Sequence, residues 1–428
     1  MRYLSLKTAG VRKGFLSLTF CSILSCVIMM YTIYNYGVDN VDVYYTSGTI
    51  DRVMFHKINT RIYMLASYFS ELEREIYILT ESEHYDNTSD LYCVLCKNLL
   101  SLYDNCKSSA VKSMHWTHHG RDMPLKPSLF ICDIPNDVNM EEYTTSTLKA
   151  ETGEYGHLFV TKSIDRYEDK CRITMCAGPQ FGLDKTPYNI AEWIEFHRLM
   201  GVSRFRIYMT DTESVSEHYH SILKMYVKQG VVDLFYWEFV PRTFYYSQAA
   251  LINHCIWYSK SDSDFISYND IDEFFIPTGK KNLNDALESY FKDDNISEIR
   301  FTNWYYDASC SLNDNVNMML SSKYIRQREP PSYHNCERTK YIARANKILV
   351  ANVHCIHEFI GKHSTVVLPP DVGYLAHFTC CLFQTKDCNP ENDPKRQIHD
   401  GLETYGKLID DRVKAIVSSV LDSDIKRE

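Results

Sequence analysis

The chain has no surplus of positive charge. Its 428 residues contain 46 Lys and Arg against 55 Asp and Glu, which gives a formal net charge of −9. The basic residues are scattered along the sequence and form no cluster. Proteins that hold nucleic-acid phosphates usually concentrate basic residues. We therefore exclude nucleic-acid binding as the main function.

Motifs of common hydrolases and zinc modules are also missing. The sequence has neither Gly-x-Ser-x-Gly nor His-Glu-x-x-His, and Cys93-x-x-Cys96 has no second Cys-x-x-Cys to complete a zinc site. Apolar residues, in contrast, make up 45% of the chain and aromatic residues 13%, which is ample for a packed core. The length allows one large domain or two medium ones.

One long uncharged run stands near the N-terminus, and no second run of this kind follows. Gly14 to Tyr34 is 21 residues without a charge, long enough to cross roughly 30 Å of hydrocarbon as a helix. Basic residues precede this run and none follows before Arg52, which favours a cytoplasmic N-terminal tail. A cleaved signal peptide is the alternative. We predict a tail at 1–13, a signal anchor at 14–36 and a short stem at 37–54, as in a single-pass type II membrane protein whose remaining residues face the secretory lumen.

The cysteine content agrees with a lumenal domain. Of 15 cysteines, two lie in the predicted span, which leaves 13 outside it. This density indicates disulfide bonds, although the sequence does not give their pairing. Sequons at Asn87 and Asn295 point weakly in the same direction. A structural disulfide is a simpler interpretation of Cys93-x-x-Cys96 than a half zinc site.

The chain changes character after the predicted stem. Residues 55–165 read as a strand-rich subdomain, and from Cys171 onward short apolar strands alternate with helical segments. Alternation of this kind predicts an α/β sheet that is largely parallel, with ligands beyond the carboxyl ends of its strands. We expect a catalytic domain at 166–395 and a C-terminal helix and tail at 396–428.

The segment FISYNDIDEFFIP carries the clearest chemical signal. Asp270 and Asp272 lie between two apolar runs, and carboxylates at i and i+2 of an extended chain face the same side. Such a pair can hold Mg²⁺ or Mn²⁺ with positions left open for phosphate oxygens. The chain has two other Asp-x-Asp sequences, at 262–264 and 422–424, but neither is framed by apolar runs. A capped or salt-bridged turn is the alternative.

Several motifs in one order resemble glycosyltransferase family 92. They include residues 176–211 (CAGPQFGLDKTPYNIAEWIEFHRLMGVSRFRIYMTD), YVKQGVV, QAALINHCIWY and DIDEFFIP, followed by Lys347 and two histidines, His357 and His377. The resemblance covers about residues 166–385. Two positions differ: the usual Asn-Asp-Cys is Asn253-His254-Cys255 here, and the usual His-Tyr is His377-Phe378.

The resemblance implies a GT-A type fold and an inverting, metal-dependent transfer, most often of galactose from UDP-galactose to a glycan or glycoprotein. Together with the predicted signal anchor, it leads us to expect a Golgi membrane protein. Mn²⁺, or Mg²⁺, would neutralise the charge that builds on the departing diphosphate. A neutral imidazole is a suitable further ligand for this ion. The metal ligands are then predicted to be Asp270, Asp272, His377 and, as second choice, His357. The nucleotide-sugar site is predicted to include Pro179, Asp211, Asn253, Asp270 and Lys347.

An inverting transfer also requires a general base near the acceptor hydroxyl. Asp307, which follows three aromatic residues that could support a sugar ring, is the first candidate and Glu358 the second. Glu273 is predicted to contact the metal ligands and not the metal ion itself. Two other classes stay open: an inactive membrane-anchored glycan-binding relative, and a lumenal hydrolase with paired carboxylates. The second requires carboxyls on opposite sides of the scissile bond, not on one strand.

Overall fold

Strands dominate the described part of the chain. The computed structural model describes residues 48–59, 61–83, 88, 90–97, 105–116, 123–156, 159–165, 171–180, 186–210, 216–278, 282–307, 326–328, 336, 338–379, 396–398 and 401–425. The strands are β1 (Ile50–Val53), β2 (His56–Asn59), β3 (Ile62–Ser70), β4 (Glu75–Ser82), β5 (Leu91–Cys96), β6 (Cys106–Trp116), β7 (Lys126–Asp133), β8 (Thr145–Ala150), β9 (Phe159–Val160), β10 (Lys162–Ser163), β11 (Cys171–Gln180), β12 (Arg204–Thr210), β13 (Val232–Trp237), β14 (Ser263–Tyr268), β15 (Glu273–Pro277), β16 (Ile296–Phe301), β17 (Asn303–Asp307), β18 (Arg326–Arg328), β19 (Lys340–Arg344), β20 (Ile348–Ala351), β21 (Ile356–Phe359), β22 (Ser364–Leu368), β23 (Gly373–Thr379) and β24 (Arg396–Ile398).

Five α-helices accompany these strands in the described residues: α1 (Pro187–Leu199), α2 (Glu217–Lys228), α3 (Gln248–Ser259), α4 (Leu283–Phe291) and α5 (Gly401–Ile425). Local sequence explains where several of them begin. Thr186 and Asn189 form a capping box at α1, and Ser216 caps α2 by accepting a hydrogen bond from the backbone N–H of Tyr219. The C-terminal helix that we predicted within 396–428 is present as α5.

The central sheet has eight strands in the order β1-β13-β12-β11-β14-β19-β16-β22. The ladders from β1 to β14 are parallel, and β19 then runs antiparallel to both of its neighbours. Helices α1, α2 and α5 pack on one face around buried residues such as Trp193. Helix α3 packs on the other face, where Trp257 meets residues of β3, β4 and β7. Both faces of the sheet are therefore covered.

The largest sheet has nine strands, β2 to β10, from residues 56–163. All its ladders are antiparallel except the short one between β10 and β3. A third sheet, in the order β15-β23-β17-β18-β24, mixes both directions, and β20 pairs with β21 alone.

The predicted fold class, a mostly parallel GT-A sheet flanked by helices, is wrong. Parallel pairing covers only part of the central sheet, while the largest sheet is antiparallel and the third is mixed. The alternation of strands and helices that suggested a parallel sheet extends only from β11 to β14. Beyond Tyr268 the chain forms hairpins and returning strands, so the observed fold is a strand-rich assembly of mixed sheets.

The described residues include four disulfide bonds: Cys93–Cys132, Cys96–Cys106, Cys176–Cys255 and Cys336–Cys355. The prediction that Cys93 and Cys96 serve structural disulfides is confirmed, and each pairs with a cysteine outside the motif. The predicted membrane span at 14–36 lies outside the described residues. Within the described ranges, no helix combines the length and apolarity that a membrane crossing requires.

Glu81 is an acidic side chain enclosed in the protein interior. It lies on β4 with no exposed surface, and neither carboxylate oxygen has a hydrogen-bond partner among the described residues. Burial raises its pKa from 4.5 to about 8, although Ser247 nearby acts in the opposite direction. The folded protein therefore holds Glu81 protonated at neutral pH.

This raised pKa predicts how stability depends on pH. Between pH 4.5 and about 8 the folded state keeps a proton that the unfolded chain releases, so the free energy of unfolding decreases as pH rises. We expect Glu81→Gln to remove that decrease and to raise the melting temperature at pH 7.5. Thermal unfolding across this range measures both. Glu83→Gln, at a partly exposed ion pair with Arg61, is the control, and an equal effect there would contradict the assignment.

Candidate active site

The acidic segment forms a tight turn between β14 and β15. The backbone N–H of Glu273 donates to the carbonyl of Asp270 (3.1 Å), and the Glu273 carboxylate accepts from the backbone N–H of Asp270 (3.0 Å). The prediction of an extended chain at this point is wrong, because these two hydrogen bonds close the turn. Asp270 and Asp272 are still presented to solvent, with side chains 42% and 47% exposed, whereas Glu273 is buried.

His377 joins this turn through strand pairing. Strand β23 runs antiparallel to β15 with His377 opposite Glu273. Its Nε2 lies 3.5 Å from Asp272 Oδ2, and its Nδ1 lies 3.4 Å from Glu273 Oε1 and 3.1 Å from Asn303 Nδ2. Burial disfavours the imidazolium, but the neighbouring carboxylates outweigh it, led by Asp272, so the pKa of His377 is raised. The first-choice histidine ligand is therefore placed beside Asp272 and Glu273.

Lys340 is the member of the cluster that sequence reasoning missed. Its ammonium is fully buried and lies 3.0 Å from both Asp270 Oδ2 and Glu273 Oε2. Burial would lower the pKa of Lys340, but these two carboxylates raise it well above its usual value. A lone lysine at the start of the apolar run Tyr341-Ile342-Ala343 was the available signal, because buried lysines need paired charges.

Tyr268 connects the cluster to the carboxyl end of β11. Its hydroxyl donates to the carbonyl of Gly178, accepts from Gln248 Nε2 (2.8 Å) and lies 3.5 Å from Asp270 Oδ1. Gly178 has φ +139°, and a Cβ there would lie 2.6 Å from the carbonyl oxygen of Tyr208, so only glycine fits this approach. Pro179, which the sequence analysis assigned to the nucleotide-sugar site, follows Gly178 directly through a cis peptide bond.

A strained segment lies near the same carboxylates. Tyr245, Tyr246 and Ser247 have φ values of 45°, 57° and 59°, which non-glycine residues rarely adopt and which cost roughly 1–3 kcal/mol each. Trp237 Nε1 donates to the carbonyl of Tyr246 (2.9 Å), and the backbone N–H of Val240 donates to Ser247 Oγ (3.3 Å). Tyr245 is half-exposed. Its pKa is raised by burial and then by the two exposed aspartates of the turn, so its hydroxyl is within their electrostatic reach.

The remaining predicted residues belong to other elements or lie outside what is described. Asn253 is buried and uses its amide to bind the backbone of Ala351. Glu358 forms an ion pair with His115, and its neighbour His357 is exposed on β21. Lys347 ends a short 3₁₀ turn before β20. Asp307 ends β17, two positions beyond Tyr305, which is in register with His377. Asp211 lies outside the described residues.

The donor atoms of the cluster fit a hard divalent cation in their chemistry. Two half-exposed carboxylates, Asp270 and Asp272, and the imidazole of His377 are the oxygen and nitrogen ligands that Mn²⁺ accepts. In the described residues, however, no three His, Cys, Asp or Glu side chains converge closely enough to share one ion. Asp270 directs one oxygen to Lys340, so the metal assignment depends on donor chemistry and exposure.

Comparison with known proteins gives the chain its family. Residues 172–408, more than half of the chain, match the model of glycosyltransferase family 92. The chain belongs to this family, which confirms the resemblance in the sequence. The matched region contains the acidic turn, Lys340 and His377.

Individual relatives are distant. A protein of Caenorhabditis elegans named beta-1,4-galactosyltransferase galt-1 is 21% identical over 264 residues, covering 58% of this chain and 59% of that protein. A glycosyltransferase family 92 protein of Oryza sativa subsp. japonica is 24% identical over 170 residues, covering 40% of this chain and 27% of that protein. The chain thus spans less than two thirds of either relative.

A solved purple acid phosphatase from yellow lupin aligns with 43% of this chain and 36% of its own, at 9% identity and a TM-score of 0.18. A score this low carries no information about the fold.

Because the buried ammonium of Lys340 contacts two carboxylates, we predict that its removal has a large effect on stability. We expect Lys340→Met to lower the free energy of unfolding by about 3–5 kcal/mol, because it leaves the buried carboxylate of Glu273 without its partner charge. Denaturant titration at neutral pH measures this change. The matched control is Lys112→Met, since Lys112 also contacts two carboxylates but on the exposed surface. Stability of that variant should stay close to wild type, and similar losses in both would contradict the role of burial.

Proposed function

We propose that the protein is an inverting, metal-dependent glycosyltransferase that moves a hexose, galactose from UDP-galactose, onto a glycan acceptor. The observation that carries the proposal is the cluster of Asp270, Asp272, Glu273, Lys340 and His377 inside the family-matched region. The name of the Caenorhabditis elegans relative supports galactose as the sugar. The uncharged run at 14–34 and the cysteine content support a Golgi membrane location.

In this proposal the exposed and the buried groups of the cluster have different roles. Asp270, Asp272 and His377 are the residues that would hold Mn²⁺, and the ion would neutralise negative charge on the leaving diphosphate. Lys340 keeps Glu273 and one oxygen of Asp270 fixed, so the turn keeps its shape before any ligand arrives. Glu273 orients the imidazole of His377 through Nδ1 and leaves Nε2 facing Asp272.

The proposed transfer also requires a general base near the acceptor hydroxyl. Asp307 is our choice, because it follows Tyr305 on β17, the strand paired in parallel with the His377 strand. Glu358 is engaged by His115. Tyr245, held half-exposed by the strained segment, is a further group that a bound sugar could contact.

The direct test is binding of UDP, UDP-galactose, UDP-glucose and UDP-N-acetylglucosamine to the full chain, measured by calorimetry with Mn²⁺ or with EDTA. We expect binding that requires Mn²⁺ and is tightest for UDP-galactose. If another UDP-sugar binds most tightly, that UDP-sugar replaces UDP-galactose as the proposed donor. If no nucleotide binds a folded sample at any Mn²⁺ concentration, the enzyme assignment fails and an inactive glycan-binding relative takes its place.

Substitution of the exposed aspartates tests the site itself. We expect Asp272→Asn and Asp270→Ala each to lower the transfer rate roughly 100-fold or more, because the developing charge loses its counter-ion. Transfer from UDP-galactose with Mn²⁺ measures the rate, and circular dichroism confirms folding. Asp422→Asn, at an exposed position of α5, is the matched control. Full activity in both site variants would remove the metal site from the proposal.

The raised pKa of His377 predicts the pH dependence of metal binding. Imidazolium cannot ligate a metal ion, so Mn²⁺ affinity should decrease as pH is lowered through the pKa of His377. The midpoint should lie above that of an ordinary histidine, since the carboxylates favour the protonated ring. Calorimetric Mn²⁺ titrations across pH measure it. His377→Gln should weaken binding and remove this transition, and an unchanged profile in that variant would exclude His377 as the ligand.

A further inference from the structure

Asn295 begins the sequon Asn295-Ile296-Ser297, which the candidate active site does not use. It is an exposed residue in the turn between α4 and β16. Strand β16 runs from this turn to Phe301, which pairs with Lys340 of the acidic cluster. At about 3.3 Å per residue, the strand separates the sequon from the cluster by roughly 20 Å. A group attached to Asn295 would therefore leave the cluster accessible.

Hydrogen bonds fix the turn around Asn295. Arg344 on β19 donates to the carbonyl of Ile296 (2.9 Å) and to the carbonyl of Phe291 (2.6 Å), on both sides of the asparagine. The backbone N–H and Nδ2 of Asn295 both donate to Asp293 Oδ1, each at 2.9 Å. An amide nitrogen has two protons, so Nδ2 can exchange one for a substituent and keep the other. The folded turn therefore accommodates a substituent on Asn295.

Ser297 has a hydroxyl that the folded structure does not use. The residue has no exposed surface, and its Oγ lacks a hydrogen-bond partner among the described residues. A buried hydroxyl without a partner costs free energy relative to an apolar side chain of similar size. Attachment of a glycan to Asn295 requires Ser or Thr at this position, which gives the hydroxyl a reason to be there. Because folding encloses Ser297, the attachment must precede the pairing of β16.

Strand β22 is an open edge of the central sheet beside Asn295. It is last in the strand order, and no strand of the described ranges pairs with its other side. The backbone N–H and the hydroxyl of Ser364, its first residue, donate to the carbonyl of Asn295 at 2.7 Å and 3.0 Å. Val367 on the same strand is 58% exposed. An open edge with an exposed apolar side chain is a place where a second chain can pair.

We propose that Asn295 carries an N-linked glycan and that this glycan shields the open edge of β22. The proposal rests on the lumenal location proposed above, and its co-reactant is a lipid pyrophosphate-linked oligosaccharide. Nδ2 of Asn295 loses one proton and bonds to the anomeric carbon of the oligosaccharide, the bond from this carbon to the pyrophosphate oxygen breaks, and the lipid pyrophosphate leaves. Neighbouring strands lie about 4.8 Å apart, so the glycan begins one strand away from the edge that it covers.

The attachment is tested by the electrophoretic shift of the full chain, expressed in cultured animal cells, after treatment with peptide-N-glycosidase. Asn87→Gln removes the other sequon, and we expect this variant still to shift by one glycan. Adding Asn295→Gln or Ser297→Ala should abolish the shift, whereas adding Ser297→Thr should keep it. Ser297→Ala removes only an unpaired hydroxyl, so a folding defect does not explain its result. No shift in the Asn87→Gln variant overturns the proposal.

Protease protection in intact microsomes separates this proposal from the proposed location. If the chain is protected from added protease but Asn87→Gln shows no shift, the glycan at Asn295 is excluded and the lumenal location stands. If the protease digests the chain, both proposals fail. Asp272→Asn should keep the glycan, because the attachment does not depend on the transferase activity of the chain.

The shielding role is tested by light scattering of the Asn87→Gln protein in detergent, before and after glycosidase treatment. We expect removal of the glycan to increase self-association. Val367→Lys should reverse this increase, because a charge on an edge strand opposes pairing with a second chain. Leu72→Lys, at an apolar residue that is 84% exposed in the turn between β3 and β4, is the matched control and should not reverse it. Equal self-association before and after treatment, or equal reversal by Leu72→Lys, overturns the shielding role.

Discussion

The candidate site depends on one buried ammonium. Lys340 reaches Asp270 and Glu273 from β19 of the central sheet, while Asp270 lies in the turn before β15 of the third sheet and Glu273 begins that strand. Without that cation, three carboxylates would lie close together around one partly buried turn, and repulsion between them would favour another conformation. The same contact joins two sheets at the point where Asp270 and Asp272 become accessible. Lys340 thus determines both the conformation of the turn and the charge balance of the site.

The sequence predicted which acidic residues and which histidine lie together better than it predicted the fold around them. Asp270, Asp272, Glu273 and His377 were identified, because acidic residues framed by apolar runs and an ordered set of family motifs are visible in one dimension. Lys340 was missed in favour of Lys347, since only the antiparallel pairing of β19 with β14 and β16 brings the earlier lysine under the turn. The strained residues at Tyr245 and Tyr246 were not predicted either, because tyrosine has no intrinsic preference for positive φ.

The fold was predicted correctly only where the pattern is local. Helix α3 and the strands from β11 to β14 follow from apolar periodicity and short connections, and the family match begins at the same point. The overall class was wrong because strand direction beyond Tyr268 is decided by long-range pairing. No periodicity of a single strand distinguishes a parallel from an antiparallel neighbour when both faces are buried.

The register between β15 and β23 has a consequence for how the site is assembled. Glu273 and His377 are opposite each other in the ladder although 104 positions separate them in the chain. A slip of one residue would turn the imidazole to the other face of the sheet, where Asp272 could not reach it. The acidic turn can form early from local contacts, but its histidine arrives only with a long loop closure. The full cluster can therefore exist only after β23 has paired with β15 in the correct register.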